Sequence, residues 1–287
     1  MLDIGRKSQT SVWVAFMDLG IVGKRALVTG ASDGIGEAIA MRLAQEGVIV
    51  GVHGRDPVRV ANVVNAITGA GGEAHALMAD LMDPRGADHL ADAALATLGE
   101  IDILVGNAGG DVHRKAGPYD WDGVTRDEFI ATFDLNVFAN TTLIQRLAPL
   151  MTARGFGRIV LIASASATAP LARQAAYGSS KAAVLNLTVS ASKWLRGRGV
   201  TINAVSPGLI LTKGSKRSIE NMAAAKGWDG DFADIEPRAV KSMGIPVGRA
   251  GRVEEVAGLV AFLASQYAGF VHGADVRIDG GVVGVVN

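Results

Sequence analysis

Residues 26–36 read Ala-Leu-Val-Thr-Gly-Ala-Ser-Asp-Gly-Ile-Gly, and this stretch decides the interpretation of the fold. A short apolar run leads into a glycine-rich turn, and the periodicity of a helix begins at Ile35. Such a turn lets backbone amides approach a pyrophosphate at the helix N-terminus, where unsatisfied N–H groups favour an anion. The spacing, Gly-x3-Gly-x-Gly, differs from the general dinucleotide fingerprint, and the turn could also be purely structural. Its position between strand and helix favours a nucleotide-binding loop of Gly30, Ser32, Asp33, Gly34, Ile35 and Gly36.

Along the rest of the chain, short apolar runs alternate with longer stretches of helical periodicity, which is typical of βαβ units. The predicted strands are Ala26–Thr29, Val48–Val52, Ala74–Met78, Ile103–Val105, Arg158–Ile162, Thr201–Val205 and Asp275–Ile278. The predicted helices are Ile35–Gln45, Arg59–Thr68, Arg85–Leu98, Thr125–Met151, Ala175–Leu195 and Val253–Ala264. We therefore expect a doubly wound α/β fold, with seven parallel strands and helices on both faces of the sheet.

The composition limits the classes of partner. Its 28 basic residues balance 28 acidic ones, so no basic excess indicates a nucleic-acid surface. The sequence has no cysteine, which excludes disulfides and thiolate metal sites, and no His/Asp/Glu cluster has metal-ligand spacing. No apolar run reaches the roughly 18 residues of a membrane span. We expect a cytoplasmic protein that uses no metal, with one domain over residues 21–287 and a mobile N-terminal extension over residues 1–20.

The end of the second strand bears on which nucleotide is bound. It reads Val52-His53-Gly54-Arg55, where an acidic residue would hold the ribose 2′-OH of NAD and an arginine accommodates the 2′-phosphate of NADP. Arg55 can bind that phosphate in a bidentate manner, although it could instead pair with Asp56 or cap the loop. The sequence therefore predicts that NADP(H) is preferred over NAD(H).

Other predicted strands also end in residues suited to a ligand. Asp80-Leu81 follows the third strand, where a carboxylate could meet the adenine amino group. Asn107-Ala108-Gly109 follows the fourth, where small residues allow close approach of the backbone to a cofactor. Because ligands of open α/β sheets bind beyond the carboxyl ends of the strands, these loops are expected to share one site with Ser164 and Pro207.

Tyr177 and Lys181 are separated by four residues in a predicted helix, so they share one face. Tyrosine can donate a proton to a carbonyl oxygen, but its ordinary pKa of about 10 is high for exchange near neutrality. An ammonium at about 4 Å, with an effective dielectric of about 20, could lower that pKa by about 3. The same spacing also occurs in ordinary surface pairs of an aromatic residue and a lysine.

Two further polar residues strengthen this interpretation. Ser164, just after a predicted strand, could hydrogen-bond the substrate oxygen, with Ser166 as the rival candidate. Asn136 lies inside a predicted helix, where it either faces solvent or holds a water chain linked to Lys181.

In their order along the chain, these pieces resemble the short-chain dehydrogenase/reductase family, and within it the 3-oxoacyl-ACP reductases. The resemblance covers about residues 22–281 and implies a Rossmann fold in which Asn136, Ser164, Tyr177 and Lys181 form a catalytic tetrad. It also implies that Lys181 binds the nicotinamide ribose, that Asn107 supports the sheet at the cofactor edge, and that the cofactor meets Tyr177, Pro207, Gly208 and Thr212. Such chains usually form dimers or tetramers through their long helices, here Thr125–Met151 and Ala175–Leu195.

The resemblance has two departures. Asp33 stands where many NADP-preferring members carry a basic residue, so Arg55 supports the NADP prediction almost alone. Gly106 stands where the family often has an additional asparagine.

The substrate is expected to be a small carbonyl or alcohol compound, bounded by Gly110–Arg114, Ala165–Gln174 and the segment after Gly208. Residues 213–248 could form a mobile lid or a surface excursion. His113-Arg114-Lys115 and Arg173 could attract an anionic substrate, such as an acyl thioester carrier, or could be solvated. The alternatives are an NAD-dependent alcohol, sugar or steroid dehydrogenase, an epimerase or dehydratase, and a non-catalytic NADP-binding sensor.

Overall fold

A computed structural model of the protein describes residues 18–112 and 121–284. The sheet contains seven parallel strands in the order β3-β2-β1-β4-β5-β6-β7. Their bounds are β1 Arg25–Val28, β2 Ile49–Gly54, β3 Ala74–Met78, β4 Ile103–Gly106, β5 Gly157–Ile162, β6 Val200–Pro207 and β7 Asp275–Ile278. The predicted doubly wound sheet is confirmed. The strand order reverses between β1 and β4, and this switch point opens a crevice at the carboxyl edge of the sheet.

Nine helices belong to the described part of the chain. They are α1 Gly34–Gln45, α2 Pro57–Gly69, α3 Gly86–Leu98, α4 Arg126–Phe133, α5 Ala139–Arg154, α6 Ala175–Leu195, α7 Lys213–Ala225, α8 Phe232–Ser242 and α9 Val253–Ala264.

Two hydrophobic cores cover the two faces of the sheet. Because successive strand residues point to opposite faces, Val28 and Val105 join the core beneath α1 and α9. Their neighbours Leu27 and Leu104 join the core beneath α3 and α5. Burial on both faces explains why the strands are apolar throughout.

The prediction of one continuous helix over Thr125–Met151 is wrong. Thr125 caps α4 in a capping box with Glu128, and a π-helical turn, Asp134–Phe138, then separates α4 from α5. A side-chain hydrogen bond lies at this wider turn, where Asn140 Nδ2 donates to the main-chain oxygen of Asn136 at 2.8 Å. π-turns of this kind are frequent at functional sites.

The segment of residues 213–248 contains two helices that the sequence did not predict. Helices α7 and α8 bury Ile219, Ala223, Ile235 and Ala239 against each other. Thr212 and Asp231 cap the two helices through capping boxes. The segment is therefore an ordered helical pair with its own small core, and its movement as a lid stays a prediction. None of the helices in the described ranges has the length and apolarity that a bilayer crossing requires.

Candidate active site

A cleft of about 370 Å³ lies at the carboxyl edge of the sheet, over the switch point between β1 and β4. It brings together most of the residues predicted to bind cofactor or substrate. Those lining it are Gly30, Asp33, Gly34, Ile35, Gly36, Asn107, Ala108, Gly109, Ser164, Tyr177, Lys181, Pro207, Gly208 and Thr212. The predicted residues that do not line it are Ser32, Arg55, Asp80, Leu81 and Asn136.

The glycine turn is shaped so that only glycine fits at two of its positions. A Cβ added to Gly36 would lie 2.2 Å from the main-chain oxygen of Gly30, and one added to Gly30 would lie 2.9 Å from Ala108 Cα. Gly30 also has a φ of 62°, in the left-handed region that favours glycine. The packed turn leaves the N-terminus of α1 open to the cleft, which fits the pyrophosphate of a dinucleotide.

His53 holds this turn in place, a role that the sequence analysis missed. Its Nδ1 accepts a hydrogen bond from the Gly30 amide at 3.1 Å, and its Nε2 lies 3.2 Å from the Ala79 oxygen. Burial lowers the pKa of His53 to about 4, so the imidazole is neutral at pH 7 and can accept and donate at once. The available signal was a lone polar side chain at the end of the apolar strand β2, beside the predicted loop.

Asn107 and Thr29 join the ends of β4 and β1. Asn107 Nδ2 donates to the main-chain oxygens of Thr29 and Gly30 at 2.8 and 3.1 Å. Thr29 Oγ1 accepts from the amides of Asn107 and Ala108, both at 2.9 Å. These bonds fix the floor of the cleft where the cofactor would lie.

Three cations surround the outer end of the glycine turn. Arg55 is exposed, and its Nη1 lies 3.6 Å from Asp80 Oδ1. Lys213 Nζ, from the start of α7, lies 3.3 Å from Asp33 Oδ1. Arg59 is the third and was not selected from the sequence.

Arg59 lies in the first turn of α2, four residues after Arg55. Its Nη1 is 3.7 Å from Asp33 Oδ2, and its Nε is 3.4 Å from Asp56 Oδ2. Asp56 also caps α2 by accepting from the amide of Val58 at 2.9 Å. Of the alternatives left open by the sequence, the structure shows Asp56 pairing with Arg59, while Arg55 pairs with Asp80.

Ser164, Tyr177 and Lys181 meet at the inner end of the cleft. Ser164 follows β5, and its side chain is hydrogen-bonded to that of Tyr177. Lys181, one turn further along α6, is 3% exposed, and its Nζ donates to the Ile162 oxygen at 2.7 Å. The same Nζ lies 5.7 Å from the centre of the Tyr177 ring.

Burial controls the protonation of this pair. It raises the pKa of Tyr177, and the negative charge of Asp111 adds to the increase, while the hydrogen bond to Ser164 opposes it. Burial also lowers the pKa of Lys181 to about 8. The prediction that Lys181 lowers the tyrosine pKa below its ordinary value is therefore wrong. Desolvation disfavours the phenolate and the ammonium alike, and Lys181 directs its Nζ to Ile162.

Asn136 is fully buried, so it does not face solvent. Its Oδ1 accepts from the Gly110 amide at 2.9 Å, and its Nδ2 donates to the Gly110 oxygen at 3.0 Å and to Ser180 Oγ at 2.8 Å. A Cβ added to Gly109 would lie 2.7 Å from Asn136 Oδ1 and 3.1 Å from Lys181 Nζ. The asparagine thus lies beside the lysine without contacting the cleft directly.

A family model described as short chain dehydrogenase matches residues 24–223. The chain belongs to this family. D-threitol dehydrogenase from Mycolicibacterium smegmatis is 35% identical, and the match covers 92% of the chain and 94% of that protein. The structure of L-sorbose reductase from Gluconobacter frateurii with NADPH and L-sorbose is 29% identical with a TM-score of 0.86, covering 94% of this chain and 100% of that one. A 7 alpha-hydroxysteroid dehydrogenase complexed with NADH and 7-oxo glycochenodeoxycholic acid is 33% identical with a TM-score of 0.81, covering 94% and 98%.

Membership confirms that the protein is an NAD(P)-dependent oxidoreductase acting on CH–OH donors. The residues present fit such a cofactor, because the closely packed glycine turn leaves the N-terminus of α1 open to the cleft. Gly30, Gly34 and Gly36 would hold the pyrophosphate, and Tyr177 and Lys181 would lie at the nicotinamide end.

Proposed function

We propose that the protein transfers a hydride reversibly between NADP(H) and a carbonyl or secondary alcohol carbon, using Ser164, Tyr177, Lys181 and Asn136 as its catalytic tetrad. The observation that carries the proposal is the hydrogen-bonded pair of Ser164 and Tyr177 hydroxyls, with the buried Lys181 one helical turn behind. Two hydroxyls that meet at one point can both bind a single carbonyl oxygen.

The tetrad would handle the oxygen and its proton, while the bound nicotinamide supplies or accepts the hydride. In reduction, the substrate oxygen takes the place of the bond between Ser164 and Tyr177, and Tyr177 Oη gives it a proton. The raised pKa of Tyr177 keeps this proton in place at pH 7. Lys181, with a pKa of about 8, exchanges protons near neutrality and can reload the phenolate. Asn136 fixes the Gly109–Gly110 backbone that lies over the lysine.

The preference for NADP(H) is supported by the cations at the outer end of the glycine turn. Arg55 and Arg59 are four positions apart in the chain. Their side chains are about 60% to 70% exposed, and the carboxylate oxygens paired with them lie at 3.4 Å or more. A 2′-phosphate, which carries two negative charges and three acceptor oxygens, would compete with single carboxylates for both guanidinium groups. Asp33 opposes this preference by its own charge, and Arg59 and Lys213 offset that charge.

The purified protein is expected to bind NADPH more tightly than NADH and to consume NADPH with a carbonyl substrate. Arg55→Ala and Arg59→Ala should each raise the Kd for NADPH by about 10-fold, since a partly exposed charged hydrogen bond contributes about 1 to 2 kcal/mol. The Kd for NADH should change little. Fluorescence titration with both cofactors measures these affinities.

Arg42→Ala, at the opposite end of α1 and paired with Glu46, is the matched control and should leave both affinities unchanged. Equal weakening of NADPH and NADH binding by the Arg55 and Arg59 variants would contradict the phosphate role. Saturable NADPH binding without consumption, across acetoacetyl thioesters, diketones, cyclic ketones and ketoses, would indicate the non-catalytic sensor.

We also propose a homo-oligomer, a dimer or tetramer, that associates through the face formed by α5 and α6. Large apolar side chains of the two helices and of the π-helical turn before α5 are exposed, namely Phe138, Leu150, Val189 and Trp194. Exposed apolar patches of this kind typically mark protein interfaces. A cytoplasmic location stays a prediction from the sequence.

The substrate class is left open by the relatives, whose names refer to a tetritol, a ketose and a bile acid derivative. A 3-oxoacyl thioester is the class suggested by the sequence resemblance. The basic run His113-Arg114-Lys115, which could attract it, lies outside the described residues, and Arg173 is exposed. The choice of substrate class therefore depends on the described residues around the cleft.

A further inference from the structure

Ser166 lies two residues after Ser164, and from the sequence either serine could bond the substrate oxygen. Their surroundings in the structure differ. Ser164 lines the cleft and is hydrogen-bonded to Tyr177, whereas Ser166 is not among the described residues that line the cleft. Ser166 Oγ instead donates to Gln174 Oε1 at 3.0 Å. The Ser166 hydroxyl therefore takes no part in the proposed proton transfer itself.

The main chain of Ser166 reaches the reacting serine directly. Its amide donates to Ser164 Oγ at 3.2 Å. A serine hydroxyl has one hydrogen to donate and two lone pairs. Because the Ser166 amide occupies one lone pair, the hydroxyl hydrogen and the second lone pair of Ser164 remain for Tyr177 and the substrate oxygen. The amide therefore sets the direction in which Ser164 can donate.

Two further contacts hold that amide in place. The bond from Ser166 Oγ ties it to Gln174, which immediately precedes α6. The main-chain oxygen of Ser166 packs against Gly178, where an added Cβ would lie 3.2 Å from it. Gln174 and Gly178 lie on either side of Tyr177 in the chain. Ser166 therefore joins the turn that follows Ser164 to the start of the helix that carries Tyr177.

We propose that Ser166 and Gln174 are positioning residues, which hold the Ser164 hydroxyl in the direction from which it donates to the substrate oxygen. This inference rests on the proposed function and identifies what aligns two of its hydroxyls. In reduction, the carbonyl oxygen gains negative charge as the hydride arrives. A donor already aimed at that charge acts mainly in the transition state. Loss of the positioning bond should therefore lower kcat and leave KM and the affinity for NADPH nearly unchanged.

A purely local alternative is that the amide bond only caps the short turn Ala165–Ala167, in which Ser164 is the N-cap residue. The two roles differ in one measurable way. A positioning residue acts through the Ser164 hydroxyl, so its effect on kcat disappears when that hydroxyl is absent. A residue that only shapes the loop keeps its effect in both backgrounds.

The test therefore measures Ser166→Ala in two backgrounds, the parent protein and Ser164→Ala. Steady-state rates of NADPH consumption are measured with the carbonyl compound that the protein reduces fastest, and the Kd for NADPH is measured by fluorescence titration. In the parent background, Ser166→Ala should lower kcat by about 5- to 10-fold, the effect of one neutral hydrogen bond. KM and the Kd for NADPH should change by less than about 2-fold. In the Ser164→Ala background, Ser166→Ala should change kcat by less than about 2-fold.

Gln174→Met removes the accepting oxygen at a similar side-chain length and should reproduce the loss of kcat. Combining it with Ser166→Ala should cause no further loss, because both substitutions break the same bond. Ser166→Thr retains the hydroxyl and should keep kcat within about 2-fold of the parent value. Ser179→Ala is the matched control and should leave kcat unchanged, since Ser179 is an exposed serine of α6 whose hydroxyl donates to the Ala175 oxygen.

The outcomes separate the positioning role from the proposed function. A loss of kcat that persists in the Ser164→Ala background, or an unchanged kcat in both Ser166→Ala and Gln174→Met, would overturn the positioning role while NADPH consumption continues. Ser164→Ala alone should lower kcat by about 10²-fold. A near-normal kcat in that variant, or no NADPH consumption by the parent protein with any carbonyl compound, would contradict the proposed function and this inference with it.

Discussion

Replacing Tyr177 with phenylalanine is expected to lower kcat by about 10²- to 10⁴-fold, the usual contribution of a general acid or base. The ring and its packing beside Lys181 are retained, while the hydroxyl that bonds to Ser164 is lost. The Kd for NADPH should change by less than about 3-fold, because most of the residues that line the cleft belong to the glycine turn and the strand ends. Steady-state assays and fluorescence titration measure the two quantities.

Tyr267→Phe is the matched control, since Tyr267 is exposed and lies in the short 3-10 turn after α9, away from the cleft. Its kcat should equal that of the parent protein. A Tyr177→Phe variant with near-normal kcat would remove Tyr177 from the proton transfer.

Replacing Lys181 with methionine is expected to abolish turnover and, at the same time, to stabilise the fold. Burial lowers the pKa of Lys181 from 10.5 to about 8, which corresponds to a cost of about 3 kcal/mol for keeping the ammonium charged at pH 7. Methionine has a similar length and no charge, so this cost disappears. Loss of the hydrogen bond to the Ile162 oxygen removes about 1 kcal/mol of the gain in stability. We therefore expect the free energy of unfolding to rise by about 2 kcal/mol at pH 7.

The pH dependence of this gain has a defined sign. Between pH 8 and 10.5 the unfolded parent protein binds more protons at Lys181 than the folded one, so its stability rises with pH in this window. The advantage of the methionine variant should be fully present below pH 8 and should disappear as pH approaches 10.5. Urea unfolding at several pH values measures it. Lys193→Met, on the exposed end of α6, should show no such trend, and a destabilised Lys181→Met protein at pH 7 would contradict the account.

The sheet and the glycine turn were predictable because their signals are local. Each strand is a short apolar run covered on both faces, and Gly36 is required by its contact with Gly30 in the same βα unit. The parallel direction of the strands follows from their alternation with helices.

The helices α7 and α8 were missed for an identifiable reason. Both helices carry many charged and polar residues, and their buried side chains pack mainly against each other and not into the two large cores. The break between α4 and α5 was also missed, because the bonds that accompany it join Asn136 to Gly110 and Ser180, which are distant in the sequence.

The same distinction applies to the site. The residue types of the tetrad and their spacing could be recognised in the sequence, but the protonation of Tyr177 could not. Its pKa depends on burial and on Asp111, 66 positions earlier in the chain, and not on Lys181 one turn away. Arg59 and His53 act through contacts across the sheet edge, with Asp33 and with Gly30, which spacing alone does not show.

The most direct test of the central claim is to follow the hydride itself. NADPH carrying deuterium at both C4 positions is incubated in ordinary water with the protein and the carbonyl compound that it reduces fastest, and the alcohol is analysed by mass spectrometry. The account predicts one deuterium on the carbinol carbon of every product molecule, with Tyr177→Phe forming the product far more slowly. An alcohol that contains no deuterium would contradict the proposed hydride transfer.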